Sequence, residues 1–594
     1  MEPRDLILSA EIDPKQVYDY LASRGFEDPE RADQDLQRIV ETVGLPERVA
    51  GLLPALLVSL EASVDPNAAL SHLESFLEAV PSQLNLLSLL EDNPRALDTL
   101  TGILGASPFL THLLLRNPEY FYWLIEQRRL DTVCDAGYFQ RAASDAVRPF
   151  DERSAALNAL RRLRRREALR IGAQDILGLV PMAQIVSQVS ALADALLHKV
   201  FELLAAEILP EPKGFAVLGM GKLGGGELNF SSDVDLIYIF HLDEQRTLMH
   251  RFAREYSKAL TEFSPEGHLY RVDLRLRPMG KGGEIAYSET ASRQYYQTWA
   301  DTTDRLAMLK CRDVAGDPEL GERFVSFIQD VVYKRYLDFA AVEEIRWIKK
   351  RTDLDMKRRK ESLTNVKLGL GGIREIEFFV QSFQILYGGS QPEIRSPNTL
   401  IGLQKLVDFG FIPLDDYQKL REAYVFMRDL EHKLQLVHDL QTHSLPGEMR
   451  ELVRCARRMG YRATGDNDPS AVLSSFQKDL EAHNQSVRKI FESLLADRDS
   501  QGGLEEIVLN PSMDPREAMR RLEALSVQDP EGFFEGLTIL LEAPAYPHSP
   551  TRVRNLLANL VQVFVENSRL AMEPRQLFTR VDRFCDALGS RASL

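Results

Sequence analysis

The chain has 594 residues, 44% of them hydrophobic and 27% charged, with a formal net charge of -16 from 72 Lys and Arg against 88 Asp and Glu. So much apolar material supplies several buried cores and excludes disorder, a collagen and a coiled-coil rod. The negative balance excludes a protein that grips nucleic acid by bulk charge, because phosphate contacts dominate such binding.

From Pro46 to Leu90 apolar residues recur at three- and four-residue spacings (Leu53, Leu56, Leu57, Leu60), with Asp65-Pro66 and Pro81-Ser82 as helix starts. Pro94–Leu104, Pro108–Leu115 and Pro118–Leu130 each open near a proline and predict short packed helices. The basic stretch Arg161–Arg166 with Arg170 spreads around more than half of a helix, which predicts a solvated, salt-bridged surface.

At Lys213 the texture changes. Gly214–Leu218 is a short apolar run ending in glycines, and Asp233–Phe240 is rich in β-branched and aromatic residues. Arg271–Arg277 alternates polar with apolar at period two, which predicts a strand with one wet face. Helical pattern resumes near Tyr287 and runs to Leu495, past glycine turns at Gly369–Gly372 and Gly388-Gly389. The expected fold class is α+β, mainly helical, with a small sheet domain followed by a helical bundle. The expected organisation is a helical region over 1–135, a sheet domain over 136–330, a helical bundle over 331–497 and a further helical segment over 504–594. Shifting the chain by 508 residues sets Pro574 on Pro66, Phe584 on Phe76, Ala587 on Ala79 and Ser590 on Ser82, a faint internal echo.

Cys134, Cys311, Cys455 and Cys585 are too far apart for a CxxC framework, and no apolar run approaches the ~20 residues that span a bilayer. Met1-Glu2-Pro3-Arg4-Asp5 has no signal pattern, so a cytoplasmic protein without a membrane partner is expected.

The chemical centre is the run Gly219-Met220-Gly221-Lys222-Leu223-Gly224-Gly225-Gly226 followed by Glu227–Asp235. Gly219, Gly221 and Gly224 form a literal GxGxxG, but Gly225 and Gly226 make a poor first helical turn, and the acids arrive as a pair about fourteen residues on rather than singly at ~20. A P-loop is excluded because GxxxxGK[ST] spacing is missing. Residues two apart on a strand share a face, so Asp233 and Asp235 are expected to project together. Two such carboxylates repel, and a divalent cation offsets the repulsion. Asp273 offers a third carboxylate beside Arg271, Arg275 and Arg277. Three acids, nearby arginines and a glycine loop able to cradle phosphate make a two-metal nucleotidyl-transfer site, with Mg²⁺ the cation that prefers such oxygen ligands.

The spacing from the glycine pair to Asp233-Val234-Asp235 resembles the DNA polymerase beta-like nucleotidyltransferases. Lys222 departs from the small residue usual in that pair. That departure, Glu227-Leu-Asn-Phe-Ser-Ser-Asp233, Asp273-Leu-Arg-Leu-Arg-Pro278, Leu309-Lys310-x-Arg312, Lys367-Leu-Gly-Leu-Gly-Gly-Ile-Arg-Glu-Ile-Glu377 and Leu430-Glu-His432 through Gln441-Thr-His443 together resemble the bifunctional glutamine synthetase adenylyltransferase/adenylyl-removing enzymes. Members of that family carry two tandem nucleotidyltransferase halves. This chain shows one, most similar to the adenylyl-removing half, and the 508-residue echo matches the onset of a second.

The resemblance implies control of glutamine synthetase by phosphorolytic removal of AMP from a tyrosine, with ADP released. Attachment of AMP from ATP is the alternative direction, and a non-catalytic regulatory half a further one. The site residues expected are Asp233, Asp235 and Asp273 for catalysis and Mg²⁺. Gly219, Gly221, Lys222, Gly224, Gly225, Ser232, Arg275, Arg277, Lys310 and Arg374 are expected to bind nucleotide and phosphate. Glutamine synthetase, ATP or ADP and phosphate, and the nitrogen signal protein PII are the partners implied. His432, His438 and His443 are read as no metal set, since 432 and 438 fall on different helix faces. Trp299 and Trp347 are expected in core or inter-domain packing.

Overall fold

Helix starts in the first half of the chain follow one chemical rule. Asp13, Asp28, Asp65, Asn93 and Ser107 each precede a proline, and each side chain accepts a hydrogen bond from a backbone N–H in the first turn of the helix that follows. Proline pre-sets the first helical φ while the cap satisfies an orphan donor, worth about 1 kcal/mol per cap. The expected helices appear as Pro46–Ala62, Pro66–Ala79, Gln83–Asp92, Pro94–Ala106, Pro108–Arg116 and Glu119–Ile125.

The computed structural model describes residues 2–9, 13–300, 302–333, 364–462, 469–499, 515–524 and 529–535. The chain divides into two compact units, Met1–Arg335 with Leu354–Arg488, and Tyr336–Asp353 with Lys489–Leu594. In the second, the described residues include a helix over Pro515–Ala524, which buries Leu522, and the segment 529–535, which buries Phe533. Trp347 and the echo residues 574–590 lie outside the described residues.

In the first unit, helices α1 (Arg153–Ile176) and α2 (Met182–Ile208) lead into the sheet. The strands are β1 (Phe215–Gly219), β2 (Val234–Phe240), β3 (Val272–Asp273), β4 (Tyr287–Ser288) and β5 (Arg312–Gly316). Their order is β3-β2-β1-β5, with β4 also pairing with β2. β1 runs antiparallel to both β2 and β5, whereas β3 and β4 join β2 in parallel. A short helix, α3 (Gly221–Gly224), follows β1, and α4 (Arg246–Thr261) follows β2. Phe201 of α2, Phe215 and Tyr238 of the sheet, and Phe252 and Tyr256 of α4 form one aromatic cluster, with Phe215 and Phe252 edge-on at 4.9 Å. All five rings are buried, and such pairs add roughly 0.5–1.5 kcal/mol beyond area burial. Two further helices, α5 (Ile373–Tyr387) and α6 (Leu414–His438), belong to the following bundle.

The structure departs from the sequence pattern at three places. The strand over Arg271–Arg277 contracts to Val272-Asp273, because Arg277 turns back and donates to the carbonyls of Leu274, Gly283 and Glu284. The arginines of α1 are packed rather than solvated. Arg161 and Arg170 are buried, Arg170 on Glu167 at 2.8 Å, and Arg166 lies over the Trp123 ring at 4.7 Å. Trp299, expected in core or inter-domain packing, is 73% exposed at the end of a helix.

Candidate active site

The glycine run turns the chain from β1 onto the face of β2. Met220 donates its N–H to the carbonyl of Asp235 at 2.9 Å, so the loop is tied to the residue it faces. Gly221 adopts φ +54°, and a Cβ there would stand 2.6 Å from Asp235 Oδ2. Glycine is required both by the left-handed backbone and by the approach of the carboxylate. At Gly224 a Cβ would meet the Lys310 carbonyl at 1.8 Å, which fixes a second close contact, between α3 and the residue two before β5.

Asp235 and Asp273 are direct partners in the parallel pairing of β2 with β3. Neighbours in parallel register present their side chains to the same face. Asp233 sits one residue before β2 begins, not on it, and its Oδ1 accepts from Arg271 Nε at 2.6 Å. The three carboxylates differ in environment. Burial, then the charge of Asp273, pushes Asp235 up to about 6, and Asp233 pushes in the same direction. Burial raises Asp273 too, but the hydrogen bonds from Arg275 outweigh it and hold that acid below its usual value. Arg275 Nε reaches Asp273 Oδ2 at 2.7 Å and its backbone N–H reaches Oδ1 at 2.8 Å.

These acids fit a hard divalent cation in chemistry, since mutual repulsion and oxygen donors are what Mg²⁺ answers. In the geometry observed, Arg271 and Arg275 hold two of them. Among the described residues no three His, Cys, Asp or Glu side chains are gathered as a closed metal cluster. Both arginines are substantially exposed, 44% and 67%, and so have room to swing away.

The other expected site residues fall into two groups. Gly219, Gly221, Gly224 and Gly225 form the loop beside Asp235, and Ser232 Oγ accepts from Asn229 N–H at 3.3 Å within the turn before it. Lys222, Lys310, Arg277 and Arg374 point elsewhere or are engaged. Lys222 Nζ lies 2.8 and 2.9 Å from the two oxygens of Glu431 on α6, and burial draws its ammonium down to about 8 against the pull of that carboxylate. Lys310 is buried, 2.8 Å from Glu227 and 3.7 Å from Glu377; burial lowers it, but the two acids win and raise it. Arg374 is exposed in the first turn of α5.

Lys367, the first residue of the motif Lys367–Glu377, is a further candidate. It is half-buried, and its charge lowers the acids of Asp235, Glu377 and Glu431. Its loop is fastened to the segment after α6, with Val366 N–H on His443 O at 2.8 Å and Leu445 N–H on Thr364 O at 2.9 Å. A lysine followed by a glycine-rich helix start was the available signal; its proximity to Asp235, over 130 residues away in sequence, was not.

Residues 97–326, which contain the sheet, the glycine loop and all three aspartates, match the family model described as glutamate-ammonia ligase adenylyltransferase. Over this part of the chain the motif resemblance and the family-model match coincide. Residues 346–495 match a second model, described as GlnD PII-uridylyltransferase. Among similar proteins, the bifunctional glutamine synthetase adenylyltransferase/adenylyl-removing enzyme of Nitrosococcus oceani is 35% identical over 447 residues, covering 72% of this chain and 45% of the relative. That of Stenotrophomonas maltophilia strain K279a is 36% identical over 471 residues, covering 76% and 47%. That of Streptomyces avermitilis is 31% identical over 589 residues, covering 96% and 56%. The chain spans about half the length of the curated relatives it matches. No helix among the described residues is long and apolar enough to cross a membrane.

Proposed function

We propose that this chain is a nucleotidyltransferase that sets the adenylylation state of glutamine synthetase, acting in the removing direction. The observation that carries the reading is Asp235 in register with Asp273 and roofed by Gly221, in a region that matches the adenylyltransferase family model. An oxygen of inorganic phosphate attacks the α-phosphorus of a tyrosyl-AMP ester; the bond to the tyrosyl oxygen breaks, giving ADP and a free tyrosine hydroxyl. Such transfer needs in-line positioning and charge stabilisation more than a protein nucleophile.

Each residue then has a task. The loop Gly219–Gly225 holds the phosphates through its N–H groups, and Arg271 and Arg275 exchange their carboxylates for phosphate oxygens. Asp233, Asp235 and Asp273 would hold Mg²⁺, which when bound supplies charge neutralisation at the phosphoryl oxygens. Lys367 adds a cation on the Asp235 side. The match of 346–495 to a PII-uridylyltransferase model favours the signal protein PII as a regulatory partner.

The test is to give the protein Mg²⁺ with adenylylated glutamine synthetase and phosphate, and separately with unmodified synthetase and ATP. ADP in the first mixture supports removal. Pyrophosphate in the second moves the assignment to attachment, and the absence of both products refutes the enzymatic reading.

A further inference from the structure

The loop from Lys222 to Ser231 joins the two chemical motifs, and one face of α6 grips it along its length. Arg428, Glu431, His432 and Gln435 recur at the three- and four-residue spacing of a single helix face. Glu431 holds Lys222 at 2.8 and 2.9 Å. Arg428 Nη2 donates to the carbonyl of Glu227 at 2.7 Å, and His432 Nε2 lies 3.1 Å from Asn229 Oδ1. Gln435 Oε1 accepts from Ser231 N–H at 3.3 Å, and Asp439, just past the helix with φ +52°, accepts from Ser231 Oγ at 2.5 Å. The grip ends two residues before Asp233 and starts one after Gly221.

Glu431 is fully buried and is shared by three cations or donors, with Arg428 Nε at 3.2 Å and His443 Nδ1 at 2.8 Å besides Lys222. A buried ion pair stabilises a fold little better than apolar residues of the same volume, so its recurrence along one face points to geometry rather than to stability. A satisfied core pair needs no particular neighbour. This one anchors the residue after Gly221, whose α-carbon approaches Asp235 so closely that a Cβ would stand 2.6 Å from the carboxylate.

We infer that Glu431 is a positioning residue for nucleotidyl transfer: through Lys222 it sets the height of the glycine loop over Asp235. The region that resembles PII-uridylyltransferase thereby completes the site of the region that matches the adenylyltransferase family model. This inference rests on the nucleotidyl-transfer reading above.

The test uses the full chain, with wild type, E431Q, K222M, K222R and the double variant K222M/E431Q assayed with Mg²⁺, phosphate and adenylylated synthetase, and with Mg²⁺, ATP and unmodified synthetase. E431Q is expected to lower kcat about 10-fold or more, since small misplacements at a reacting centre cost that much, while KM for the protein substrate stays within about 2-fold. K222R is expected to recover most of the activity that K222M loses, and the double variant to be no slower than either single one. A folded E431Q with wild-type kcat overturns the proposal, and so do multiplying losses in the double variant, which make Lys222 a phosphate ligand in its own right. If E431Q does not fold, D439N at the rim of the same face decides, with a several-fold fall in kcat expected and an unchanged kcat overturning it. Wild type silent in both mixtures overturns the nucleotidyl-transfer reading and this inference with it; an active wild type with an unaffected variant overturns this inference alone.

Discussion

Alanine at Gly221 and alanine at Gly226 separate backbone strain from damage to the site. Both glycines have left-handed backbones, φ +54° and +66°, so an L side chain at either costs about 1–2 kcal/mol. Their surroundings differ. Nothing lies within 4 Å of a Cβ at Gly226, whereas at Gly221 the Cβ would stand 2.6 Å from Asp235 Oδ2 against an ordinary contact of 3.4 Å or more. Relief requires a displacement of roughly 0.8 Å between loop and carboxylate, and misplacement on the 1 Å scale costs on the order of 100-fold in rate. Both variants are therefore expected to lose similar stability in thermal melts, while only G221A loses about two decades of kcat in the ADP-release assay. Equal activity in the two variants, at comparable melting temperatures, would refute the placement of the reaction beside Asp235.

Asp235 carries a pH signature. Its folded acid sits at about 6 rather than 3.8, so between those values the folded state binds the proton more tightly, and metal-free stability falls as pH rises from about 4 through 6. D235N removes that loss: it is expected to be more stable than wild type by about 1–2 kcal/mol at pH 7–8 without Mg²⁺, after discounting for partial solvent screening. Adding Mg²⁺ is expected to raise the melting temperature of wild type but not of D235N, and an equal rise in both would count against metal at this residue. Lys367→Met, which strips a cation from beside Asp235, is expected to lower turnover about 10-fold and Lys367→Arg to recover part of it, measured as initial rates. Lys310→Met leaves the buried Glu227 and the half-buried Glu377 without their ammonium, so a destabilisation of about 3 kcal/mol is expected in denaturant melts. A K310M variant with wild-type stability would contradict the buried ion-pair account.

The sequence by itself determined the helix starts, because Asp-Pro, Asn-Pro and Ser-Pro pairs act through local backbone geometry and one side-chain hydrogen bond. It also located the small sheet and singled out the aspartates as the candidate chemical centre, since glycines that no helix favours and acids at the mouth of an apolar strand conflict with stability unless they serve chemistry. Local pattern misled where partners decide conformation. Arg271–Arg277 alternates like a strand, yet Arg277 finds carbonyls within its own turn and the strand stops after two residues. The arginines of α1 read as surface, but Trp123, Glu167 and nearby backbone carbonyls give them buried partners that only folding assembles. Lys222 and Lys310 carry charges that suit phosphate, and which charge each one meets is a matter of what packs against it: Glu431, Glu227 and Glu377 come from segments up to 209 residues away. Spacing along a chain fixes which side chains share a strand or helix face. The choice of the opposing face, and with it the register of Asp235 against Asp273 and the grip of α6 on the glycine loop, belongs to the tertiary structure alone.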